Sequence, residues 1–97
     1  MADTLLGSYD TPDSAEGVAV VGTTAYVADD SSGLHILDVS DPTAPVRLGS
    51  YNTPGSALGV AVVGTTSYVA DGSSGLQILD VSTPTAPVRL GSYETPG

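Results

Sequence analysis

The chain is predicted to be all-β, built from short antiparallel strands, on three observations. Gly17 to Ser40, GVAVVGTTAYVADDSSGLHILDVS, returns at Gly59 to Ser82 as GVAVVGTTSYVADGSSGLQILDVS, so one unit of 42 residues is written twice. Each unit is divided by glycine, proline, serine and threonine into apolar runs of strand length. No stretch of ten residues keeps a 3.6-residue period without glycine, proline or a β-branched run, which nearly excludes helix. A strict period of this size belongs to architectures in which units, rather than domains, are counted. Repeat 1 spans 7–48 and repeat 2 spans 49–90, and 91–97 is a partial third copy of the unit's first element; aligned this way, the repeats differ at only seven positions.

The elements follow in order. TLLGSYD at 4–10 recurs as VRLGSYN at 46–52 and VRLGSYE at 88–94. Its Leu-Ser-Tyr alternation, ended by Thr-Pro, predicts an outer strand, because proline cannot donate to a ladder and belongs at an edge or a strand end. After the polar connector 11–16, GVAVV at 17–21 is small and β-branched, suited to an inner strand near a crowded axis. Gly22-Thr23-Thr24 is a tight turn, and AYVAD at 25–29 completes the hairpin. LHILDV at 34–39 is apolar on both faces apart from His35 and Asp38, so it must be covered on both sides. SDPTAP at 40–45 holds two prolines and cannot be regular structure. Four antiparallel strands in a repeat of this length are the blade of a β-propeller.

Leu34-His35-Ile36-Leu37-Asp38 and Leu76-Gln77-Ile78-Leu79-Asp80, each followed by Val-Ser-x-Pro and preceded by GVAVVGTT-x-YVAD, resemble the LVIVD-type repeat of bacterial and archaeal β-propellers. The resemblance covers nearly the whole chain. It implies β-propeller blades, two per chain, in a family of mostly secreted or cell-surface proteins without an assigned chemistry. Members of that family carry enough blades to close a ring, whereas this chain has two. The expected fold is therefore a ring completed by homo-oligomerisation.

The net charge is −9, from eleven acids against Arg47 and Arg89. Nucleic acid and anionic membrane surfaces both require a basic face, so neither is an expected partner. No apolar run approaches a membrane span, residues 1–6 lack the basic start of a signal peptide, and the absence of cysteine excludes a disulfide framework.

Asp29, Asp71, Asp38 and Asp80 stand at strand ends, where carboxylates accept hydrogen bonds from turn amides. Asp10, Asp13, Glu16, Asp29 and Asp30 fall in connections expected on one face of the ring. They form a weak candidate Ca²⁺ set, although DDSSG lacks the spaced order of a calcium loop. Five of the seven repeat differences remove an acid: Asp10, Asp13, Glu16, Asp30 and Asp41 become Asn, Gly, Leu, Gly and Thr. The single histidine, His35, is replaced by Gln77 in repeat 2, which favours a packing position over a catalytic base. The five tyrosines lie at repeat-related strand positions, where packing between blades is the expected role. The glycine stretches fit neither dinucleotide nor phosphate loops. No catalytic residue, cofactor or resident metal is therefore expected.

The expected function is a non-catalytic structural or interaction module that assembles with itself into a trimer or tetramer of six or eight blades, four copies being favoured. The alternative is a lectin-like or Ca²⁺-binding module using the acidic loop face. Two blades leave apolar faces uncovered, so folding is expected to couple to association. Leu6, Tyr9, Val88, Leu90 and Tyr93 are the expected closure residues. The third LGSY copy sets a competition, because the N-terminal and C-terminal copies suit one outer-strand position at the junction between chains. The N-terminal copy is expected to be the one displaced, since Thr4-Leu5 replaces Val-Arg and no loop precedes it to fix its register.

Overall fold

The structure, a computed structural model, describes residues 7–94. It contains two four-stranded antiparallel meanders, one per repeat. In blade 1 these are β1 (Gly17–Val21), β2 (Thr24–Ala28), β3 (Leu34–Asp38) and β4 (Val46–Tyr51), paired in that order. Blade 2 repeats them as β5 (Gly59–Val63), β6 (Thr66–Ala70), β7 (Leu76–Asp80) and β8 (Val88–Tyr93). Among the described residues the only helical turn is a short 3₁₀ segment at Gly72–Ser74.

The two-residue turn Gly22-Thr23 joins β1 to β2, with Val21 opposite Thr24. Gly22 has φ 61°, the positive angle that a type II′ hairpin turn places at its first central residue, and Gly64 repeats it at φ 60°. Between β3 and β4 the register shifts after Ile36, leaving Leu48 unpaired between Gly49 and Arg47. Blade 2 carries the same shift after Ile78.

Two sequence expectations are corrected. Strand β2 ends at Ala28 rather than Asp29. Of the N-terminal outer strand expected over 4–10, residues 7–10 form no strand and 4–6 lie outside the described residues. The fourth position of blade 2 is filled by the chain's own β8, paired from Leu76–Tyr93 to Asp80–Val88.

The blades pack face to face, and the core lies between them. Tyr26, Ala28, Leu34 and Ile36 of blade 1 form one cluster with Ala57, Val69, Leu79 and Val81 of blade 2, flanked by Leu48, Tyr51, Val60 and Val62. The inner strands approach closely at Gly17, where a Cβ would lie 3.1 Å from Gly59 Cα. Period-2 alternation thus gives each blade a trailing face (Tyr26, Ala28, Leu34, Ile36) that meets the next unit. The opposite, leading face (Ala25, Val27, His35, Leu37) points to the unit before.

Candidate functional site: the open trailing face of blade 2

The trailing face of blade 2 has the sequence of its buried counterpart, but no unit covers it among the described residues. Leu34 and Ile36 are fully buried, whereas the equivalent Leu76 and Ile78 are only partly buried. Tyr68 is 36% exposed where Tyr26 is 5%. Along β8, Leu90 and Tyr93 are exposed, while Leu48 and Tyr51 of β4 are partly buried against the core; Val88 is exposed, as is its equivalent Val46. Val18 and Val20 on the leading side of β1 are also exposed, while their equivalents Val60 and Val62 pack on the core. Of the expected closure residues, Tyr9 is exposed in the segment before β1 and Leu6 lies outside the described residues.

Glycine contacts mark the same asymmetry. A Cβ on Gly49 would lie 3.1 Å from Thr85 Cα and closer still to the Pro84 carbonyl, because the Pro-Thr loop of blade 2 folds directly over β4. Gly7 has the same relation to Pro42 and Thr43, with 3.0 Å to Thr43 Cα. Gly91, the third equivalent, has nothing within 4 Å.

The carboxylates divide into two kinds. Asp38 accepts the Ser40 N–H and Asp80 the Ser82 N–H, each at 2.9 Å, the expected Asx turns. These bonds hold both carboxyls below the ordinary carboxylate range. Asp29 and Asp71 do something the sequence reading did not foresee. They are buried, and they accept N–H groups from the connector sixteen residues upstream, Asp13 to Asp29 at 3.0 Å and Gly55 to Asp71 at 2.8 Å. Each pins the connector that leads into the inner strand of its blade. The signal for this was present in the strict recurrence of Asp29 and Asp71 at a position where the loop after them varies.

Of the acidic set, Asp13 and Asp29 are brought together by that backbone bond. The Asp13 side chain also accepts Ser31 Oγ–H and Ser14 N–H, and these bonds, the Ser31 one foremost, hold its carboxyl below the usual range. Glu16 is tied through its own N–H to the Ala28 carbonyl, and Asp30 exchanges two backbone bonds of 2.9 Å with Ala57. Among the described residues no three His, Cys, Asp or Glu side chains converge as metal ligands, and no pocket opens.

His35 is buried, with Nε2 3.6 Å from Asp29 Oδ2, and neither ring nitrogen makes a hydrogen bond among the described residues. Burial lowers its pKa, partly offset by Asp29 and reinforced by Arg47, so the ring is neutral at pH 7. Gln77, in the same place, donates to the Ser74 carbonyl at 3.2 Å. Both positions lie on the leading face, buried among packing residues.

Comparison with known families gives a match to the LVIVD repeat at residues 12–53 and again at 54–95. No match emerges among curated proteins, and none among solved structures.

Proposed function

The chain belongs to the LVIVD-repeat family, and from that premise we propose that it is a non-catalytic interaction module. Its open trailing face receives the leading face of another copy, so that three or four chains close a ring of six or eight blades. The observation that supports this reading is the pair Ile36 and Ile78 with their neighbours: one surface, nearly identical in sequence, is a core in blade 1 and open in blade 2. What covers it in blade 1 is a leading face, and the chain has a second leading face on the other side of blade 1. The contact is head-to-tail, and a heterologous contact closes into a ring when its rotation permits. Each copy brings a net charge of −9, so added salt favours assembly by screening repulsion between copies.

Gly91→Ala tests this. In the isolated chain a Cβ there meets open space, while in the ring it would strike the Pro42 and Thr43 backbone of the next copy, as a Cβ on Gly49 would strike Pro84 and Thr85. The variant chain is expected to lose its oligomeric mass. Retention of the full oligomer by this variant counts against the reading.

A further inference from the structure

No blade precedes blade 1 among the described residues, yet the β2–β3 part of its leading face is closed, while Val18 and Val20 of β1 stay exposed. Ala25, Val27, His35 and Leu37 are all buried. Two contacts place the segment Gly7–Asp13 on blade 1 just as 49–55 lies on blade 2. Gly7 lies under Pro42 and Thr43 as Gly49 lies under Pro84 and Thr85. The Asp13 N–H reaches Asp29 as the Gly55 N–H reaches Asp71. In this chain the seven residues therefore occupy the place where the end of a preceding blade's outer strand and its connector belong.

The same place is claimed by a second copy. GSYETPG at 91–97 matches GSYDTPD at 7–13 in five of seven positions, and Gly91 is the one member of its glycine set with no loop over it. Two backbones cannot lie under one Pro-Thr loop that leaves no room for a methyl group. We infer that Gly7–Asp13 is an intramolecular plug, seated in the docking site for the C-terminal strand of another copy, and that ring closure is a strand exchange which expels it. This rests on the ring reading for the identity of the incoming strand.

The plug has a clasp of its own. The Asp13 side chain bonds Ser31 and the Ser14 N–H, whereas the equivalent residue is glycine both at Gly55 within the chain and at Gly97 in the incoming strand. Repeat 1 thus holds its own plug by contacts the competitor cannot copy, which makes the exchange slower and weaker than simple docking.

The test uses the full chain and a labelled synthetic peptide of residues 88–97, VRLGSYETPG, followed by fluorescence anisotropy. Asp13→Gly keeps the backbone N–H to Asp29 and removes only the clasp, so the peptide is expected to bind about two- to fivefold tighter than to the original chain, the scale of an exposed charge-assisted hydrogen bond. Gly7→Ala, which puts a methyl group against the Pro42 carbonyl, opens the same site and is expected to raise binding further. A peptide carrying Gly91→Ala should not bind any of the three. Equal binding to all three chains, no binding to any, or undiminished binding of the Gly91→Ala peptide overturns the plug. Rings that form while peptide binding ignores Asp13→Gly and Gly7→Ala leave the assembly standing and the plug refuted. Peptide binding in the expected order by a chain that stays monomeric does the reverse.

Discussion

Blades 1 and 2 share all but a handful of their residues and the same strand pairing, yet one is a core element and the other is half open. Leu34 and Leu76, Ile36 and Ile78, and Tyr26 and Tyr68 are the same side chains on the same strands in the same register. Their burial differs because of what stands next to them. The difference teaches that the stability of a blade is a property of a junction, as the nearest-neighbour energetics of repeat proteins require. Even the loops obey it. Asp30 is held by Ala57 of the following connector, whereas the equivalent Gly72 starts a 3₁₀ turn.

The sharpest way to break the comparison is to make one substitution twice. Ile36→Ala removes a fully buried side chain from the junction and should cost about 2–5 kcal/mol by urea unfolding. Ile78→Ala should cost much less in dilute chain, and should approach the cost of Ile36→Ala under assembling conditions. Equal costs at every concentration would mean that the open face is never covered.

Gly33→Ala should be nearly as damaging. Gly33 has φ 80°, and a Cβ there would strike the Tyr51 carbonyl and lie 2.8 Å from Thr53 N. A loss of about 3 kcal/mol is expected, from the left-handed backbone together with the backbone collision. Gly22→Ala, at φ 61° in open space, should lose about 1–2 kcal/mol, the conformational part alone.

His35→Gln makes blade 1 resemble blade 2. Because burial lowers the pKa of His35, the unfolded chain binds more protons than the folded one between the ordinary value of 6.5 and the lowered folded value. Stability conferred by the neutral ring is present above 6.5 and falls as pH drops through that window. His35→Gln should flatten this slope in urea midpoints taken from pH 7.5 downward. The carboxylates act lower: Asp13, Asp38, Asp41 and Asp80 stabilise above 3.8 and lose that effect as pH falls through their depressed values, so the original chain and the variant should share that limb. The smallest effect is expected from Asp30→Gly. Asp30 has φ 53°, matched by Gly72, and relief of the left-handed strain is offset by unfolded-chain entropy, leaving a change within about 0.5 kcal/mol.

Much of this was legible in the sequence. The 42-residue period, the strand-length runs and the two-sided apolar LHILDV led to four-stranded blades with uncovered faces. Strand β2 ends one residue early because the Asp29 backbone is taken up by the loop, its N–H on the Gly33 carbonyl and its carbonyl on the Ser32 N–H, while its side chain accepts the Asp13 N–H, a partner sixteen positions away that no local turn rule supplies. The seating of Gly7 was illegible for a similar reason, since it depends on the Pro42-Thr43 loop arriving over it, and proline in a sequence signals a break without saying what the break covers. The acidic residues read as one loop face. In space each is engaged differently, Asp13 with Ser31, Glu16 with Ala28, Asp30 with Ala57.

The central claim is that the trailing face of blade 2 is completed by the leading face of blade 1 from another copy. Native mass measurement across a concentration series, at low and high salt, tests it most directly. Three or four copies per particle are expected, four favoured, with the assembled fraction rising with concentration and with salt. A species of monomer mass with a sharp, concentration-independent melt, or a pentamer, would contradict it.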